Sequence, residues 1–328
     1  MSSKLVRFSP ALKSVLAVVV LVVVVLALSW GAGQGTPASQ AVVHSMSWLL
    51  WRVTASASVL LFLIVLLRGI AELRHEWNAG DTAQHAQIVV YVLLAVVFVT
   101  IGVGAVTQAS GTAFSHMPRL PVTRLDVRAG VLVIVGAVAA IPWLAMVWLI
   151  HSASRDVRAE IEATAAAAVA PETSGESPLL PAFRRLAVLW EAIVRCALAL
   201  SVLVVATILT TGALRGVYIE ASPVTEGQPD WYPSVYVLLY GATFAFLLLI
   251  LMVPMLAYWR TSAARLVEAA IPVPTGLRFE EGWDGQRKHL ERLLHLDVSL
   301  LGSPLTMLTA LAPLVSSALA AFIPELAM

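Results

Sequence analysis

The stretch "LWEAIVRCALALSVLVVATILTTGALR", Leu189–Arg215, decides the fold. Nineteen residues without a charge separate Arg195 from Arg215. As a helix rising 1.5 Å per residue they cover roughly 28 Å, close to the ~30 Å hydrocarbon core of a bilayer. An apolar run bracketed by arginines at that distance is a transmembrane helix. Glu191 and Arg195 stand at its mouth, four residues apart and on one helix face, with Glu first, the better order for an ion pair. A charge at the bilayer centre costs from about 2.5 kcal/mol upward, so depth decides what the pair does. The spacing to Arg215 lets Arg195 rest at the interface. The pair then reads as interfacial, on a helix that begins near Pro181. The alternative is a buried pair that lines a path or locks two helices.

The rest of the chain agrees with that reading. Of its 328 residues, 59% are hydrophobic and 12% charged, and mean hydropathy is +0.86. Soluble domains average about 45–50% apolar and about 25% charged. The net charge of +1 gives no case for nucleic acid. One cysteine, Cys196, leaves no partner for an internal disulfide and reads as a small apolar residue. Arginine outnumbers lysine 18 to 3, the codon bias of a GC-rich bacterial genome. The expected fold class is therefore an all-α integral membrane protein of the bacterial inner membrane.

Six runs are long and apolar enough to span: about 14–33, 46–67, 87–107, 129–151, 196–214 and 233–258. A seventh, 298–324, is softer, with several Ser, Thr, Gly and Pro. The expected bundle has six to seven spans. With a cytoplasmic N-terminus, fifteen Lys and Arg fall in the cytoplasmic segments and four outside, which supports that orientation. The local dissent is the connection at 108–128, placed outside with three arginines. Seven tryptophans, among them Trp48, Trp51, Trp148, Trp190 and Trp259, fall near span ends, where amphipathic rings settle. The first run also has the outline of a secretory leader, a basic segment followed by an apolar one and by "PASQA".

These runs divide the chain into a four-span region, 1–153, a cytoplasmic helix and linker, 154–181, and a two-span region, 182–259. A cytoplasmic amphipathic segment, 260–297, and a final span or re-entrant helix, 298–328, complete it. Segment 151–170 is alanine-rich and continues the fourth span as a helix; "PETSGESPLLP" ends it. "DGQRKHLERLLHLD" starts at Asp284 as an N-cap and carries His289, Leu290, Leu293 and Leu294 on one face. His75 falls in a solvated loop. Segments 155–170 and 284–297 are the surfaces offered to a protein partner, besides the lipid bilayer itself.

In the final run Ser299, Ser303, Thr306, Ala310, Pro313, Ser317 and Ala320 recur every three or four residues. Such a small-residue stripe lets helices approach closely; lining a wet path, or breaking the run into a re-entrant helix at Pro304 and Pro313, are the other readings. Leu308, Leu311, Leu319 and Phe322 fall on other faces. Gly102, Gly104, Gly130, Gly136 and Ala140 read as packing positions, and "GALRG" at 212–216 is a poor G-x-x-x-G because it contains Arg215. Pro142 and Pro254 kink their helices. The histidines form no metal-ligand spacing, and there is no phosphate loop, dinucleotide motif or nucleophile elbow. No catalytic residue, cofactor or metal is expected. The candidate polar or helix-packing positions are Glu191, Arg195, Ser303, Thr306 and Ser317. The functional expectation is a non-enzymatic module that forms a permeation path or anchors a partner complex. A small-molecule transporter or transport subunit is the alternative, and an intramembrane enzyme without a recognisable motif the third.

Overall fold

The computed structural model describes residues 19, 22–24, 27, 37–77, 85–94, 96–97, 125–167, 177–221, 233–272, 282–296 and 304–326. In chain order the helices are α1 (Pro37–Val43), α2 (Met46–Trp77), α3 (His85–Leu94), α4 (Leu125–Ala167), α5 (Leu180–Ala221), α6 (Ser234–Ala270), α7 (Trp283–Leu293) and α8 (Pro304–Leu326). No strand occurs among the described residues. Four helices, α2, α4, α5 and α6, are long and apolar enough to cross a membrane; α3 and the stretch Leu311–Phe322 of α8 are shorter apolar helices. Most of the run at 14–33, the 98–107 part of the run at 87–107 and the 108–124 part of the arginine-bearing connection lie outside the described residues.

Helices α4, α5 and α6 hold 43, 42 and 37 residues. They are therefore about 64, 63 and 55 Å long, roughly twice the hydrocarbon thickness. The solvent-facing side chains show where the excess goes. Exposed large apolar residues stud α4 from Val127 to Ile141, α5 from Leu198 to Val202 and α6 from Val235 to Tyr258. Beyond that belt charged residues take over most exposed positions, with Glu162 on α4, Arg185 and Glu191 on α5 and Arg265 and Glu268 on α6, although Val188 of α5 stays exposed among them. The helices do not stop at this boundary. Their inward faces stay apolar, and Val157, Ile161, Ala182, Leu186, Ala263, Leu266 and Val267 are buried in one core continuous with that of the spans.

The projecting part is thus a closed three-helix stalk, about 20 Å long. Trp259 Nε1 donates to the Leu186 carbonyl at 2.9 Å and Ser262 Oγ to the Ser154 carbonyl at 3.1 Å, tying α6 to α5 and to α4. Arg185 and Glu160 pair across α5 and α4 at 2.6 Å. Helix α7 folds against this end: Leu294 is buried, Arg260 Nη2 donates to the Leu296 carbonyl, and His295 stacks on Trp190 at 5.0 Å.

Two local expectations are corrected. Asp284 is not the cap of α7. The N-cap is Gly282, whose φ of 95° suits a residue without Cβ, and Asp284 sits in the first turn, paired with Lys288 at 2.6 Å. His75 is not in a loop, because α2 continues to Trp77 through the helix-forming run "AELRHEW".

Candidate functional site

The charged pair at the mouth of α5 belongs to a larger junction. Arg195 Nη1 lies 3.6 Å from Glu191 Oε2, but Arg195 Nε lies closer, 3.3 Å, to Glu72 Oε2 of α2. Glu72 in turn faces Arg68 at 3.6 Å. Arg68, Glu72, Arg195 and Glu191 thus form an alternating chain that bolts α2 to α5 where the apolar belt ends. The outer members are exposed, Arg68 at 61% and Glu191 at 71%, while Glu72 and Arg195 retain only 23% and 33%. The Arg195–Glu72 contact is close enough for an ion pair but is not aligned as a hydrogen bond, and Nε has no acceptor. The nearer partner of Arg195 is therefore one that the i, i+4 spacing along α5 does not reveal. Glu72 announces itself in the sequence only as the first of two acids just past the apolar run of α2.

The small-residue face of α8 lies against α5 and α6. Ser317 is buried, its hydroxyl turned back onto the Leu314 carbonyl at 2.8 Å, and it sits against Gly241 of α6 so closely that any Cβ at Gly241 would collide with it. Ala320 meets Gly212 of α5 in the same way: a Cβ there would lie 2.7 Å from the Ala320 carbonyl oxygen. Pro313, Ser316 and Ala321 are also buried, whereas Leu311, Leu319 and Phe322 are exposed. Ser303 lies outside the described residues. Thr306 falls in the first turns of α8, and its side chain is outside them as well.

Gly212 therefore acquires a packing role despite Arg215 in the same motif. Arg215 is itself buried and donates to the Ala321 carbonyl at 3.0 Å, so the arginine strengthens the approach of α8. A Cβ at Gly136 would lie 3.2 Å from the Phe62 ring, while one at Gly130 would meet open space.

Hydroxyls and indoles join the remaining spans. Ser58 of α2 and Thr210 of α5 share a hydrogen bond at 2.7 Å inside the bundle. Trp143 Nε1, one residue past Pro142, donates to the Val65 carbonyl at 2.9 Å, over Gly69. Cys196 is buried beside the Trp143 carbonyl, 3.5 Å away. Among the described residues no group of three His, Cys, Asp or Glu side chains could hold a metal ion. What these residues do chemically is hold helices together: ion pairs at the apolar boundary, hydroxyl bridges and small contacts within it. Comparison with protein-family models, with curated proteins and with solved structures finds no match to this chain.

Proposed function

We propose that this chain is a multi-pass anchoring module of the bacterial inner membrane, with six or seven spans and a cytoplasmic N-terminus, which presents a rigid helical stalk to a protein partner. The observation that carries the reading is the unbroken passage of α4, α5 and α6 from the lipid belt into a closed bundle whose core continues that of the spans. A stalk of this kind fixes the position of whatever docks on it relative to the bilayer. The Arg68–Glu72–Arg195–Glu191 chain and α7 brace its base. The permeation reading draws less support, because the small-residue face of α8 is filled by α5 and α6. The excess of Lys and Arg in the segments on the stalk side favours the cytoplasm for it, and the bias of arginine over lysine favours a bacterial source.

Two measurements test this. A reporter enzyme fused after Lys288 should read cytoplasmic and one near Glu226 periplasmic; a periplasmic signal after Lys288 refutes the orientation. Photo-crosslinking amino acids at Arg158, Glu162 and Arg265, in cells, should each yield the same discrete adduct, and the same group at Val133 should not. Solute flux in proteoliposomes that depends on the protein, with no adduct at any stalk position, would replace anchoring by transport.

A further inference from the structure

Among the described residues His295 is the only one other than glycine with a left-handed backbone, at φ 50°. It directly follows the C-cap of α7, Leu294. The His295 amide donates to the Arg292 carbonyl and the Leu296 amide to the Glu291 carbonyl. Glycine usually occupies this position in such a double closure, because a Cβ is disfavoured there. A histidine in its place carries local strain, and strain persists where a further contact holds the residue. Here that contact is Trp190 of α5, on which the imidazole stacks at 5.0 Å with 25° between the planes. We propose that His295 is the latch of a releasable strap. Helix α7 moves between a form docked on the stalk and one lifted from it, and the His295–Trp190 stack sets the balance. The inference rests on the folded stalk and holds whether or not a partner docks there.

Helix α7 is built to leave the stalk intact. Trp283 Nε1 donates to the Pro272 carbonyl, just beyond α6, at 3.1 Å, and Arg260 Nη2 donates to the Leu296 carbonyl at 2.8 Å. The helix therefore runs back along α6 towards the lipid belt. None of its 11 residues is buried. Its charged groups close on one another: Lys288 on Asp284 at 2.6 Å, Arg287 on Glu291 at 3.0 Å, and the Arg287 guanidinium over the Trp283 ring at 5.6 Å. Pairs at i, i+4 stabilise a helix by itself, so these contacts travel with α7 and need not be broken. At the other end from the latch, Gly282 has φ 95° and nothing within 4 Å of a Cβ, which makes it a pivot.

The hold on the stalk helices lies in the C-terminal half of α7 and just past it. It consists of buried Leu294 with half-buried Leu290 and Leu296, the Arg260 bond and the ring stack. The stalk helices, by contrast, bury Val157, Ile161, Leu186, Ala263, Leu266 and Val267 among themselves. Lifting α7 leaves that core closed and bares the indole of Trp190, which packs on Trp259 of α6 at 4.6 Å. The strap therefore controls access to the base of the stalk.

The test uses the full chain in lipid nanodiscs, with spin labels at His289→Cys of α7 and Ala187→Cys of α5, both exposed positions, on a Cys196→Ser background. Double electron–electron resonance should show a narrow docked distance and a second, longer and broader one. His295→Ala keeps the strain and removes the stack, so it should raise the ratio of lifted to docked form about fivefold, the value of one aromatic pair. His295→Phe keeps a ring and should match the wild-type ratio. His295→Gly also relieves the strain, so its ratio should lie below that of His295→Ala. Labels at Ala163→Cys and Ala187→Cys, across α4 and α5, should give one distance in every variant, which shows that the stalk stays folded. A single distance between α7 and α5 in both wild type and His295→Ala overturns the strap. A His295→Ala ratio equal to wild type overturns the latch, as does a His295→Phe ratio that matches His295→Ala. A His295→Gly ratio equal to that of His295→Ala overturns the strain.

Discussion

At the scale of single residues, Arg195 carries two carboxylates of unequal weight. Glu191 is its neighbour along the helix and mostly solvated; Glu72 comes from another span and is shielded. Exposed pairs contribute roughly 0–1 kcal/mol, so Glu191→Gln should lower the melting temperature in detergent by little. Glu72→Gln leaves Arg195 at the apolar boundary with only its solvated partner and should cost more, about 1–2 kcal/mol. A double-mutant cycle measures the difference: coupling of Arg195 to Glu72 should exceed coupling to Glu191, and the reverse order would show that the cross-helix pair is incidental. The sequence makes the i, i+4 pair legible because its spacing is local. It hides Glu72 because residues 72 and 195 are joined only by the packing of α2 on α5.

At the scale of the element, α8 is held by absence of side chain as much as by presence. Gly212 and Gly241 leave room for Ala320 and Ser317, and a Cβ at either would overlap atoms at or next to the backbone of α8, forcing that helix to shift. Gly241→Ala should therefore destabilise by about 1–3 kcal/mol, the cost of overpacking, and should expose the connection before α8 to limited proteolysis. Gly130→Ala makes the control: with nothing within 4 Å of the added methyl, it should be neutral or stabilise by up to about 1 kcal/mol through helix propensity. Proteolysis that is unchanged in Gly241→Ala would mean that α8 docks by other contacts. The periodicity of Ser, Ala and Pro in 299–320 exposes the small face of α8 to a reader of the sequence. Its receptors are harder to see: Gly241 is a single glycine in an apolar run, and Gly212 stands beside an arginine that argues against burial until the Ala321 carbonyl is found to receive it.

At the scale of the whole molecule, helical class and membrane residence were legible from composition and run length, because a bilayer imposes both on any chain this apolar. The stalk was less so. Alanine-rich and charged residues after 151 announce a helix, but the burial of Val157, Ile161 and Leu186 depends on three helices projecting side by side. Hydrogen exchange should read that packing directly. Amides around Ile161, Leu186 and Leu266 should exchange slowly although they lie beyond the lipid belt, and protection confined to the spans would refute a folded stalk. Helix α5 gives this projection a mechanical character. After Pro181 in its first turn it has no interior proline, so it crosses the boundary as a single rod of 42 residues. Spans change tilt when bilayer thickness changes, and a rod transmits angle without loss. A tilt of 10° at the boundary displaces a point about 20 Å beyond it by roughly 3.5 Å. The far end of the stalk is therefore a pointer, and its position amplifies the thickness of the membrane in which its other end is set.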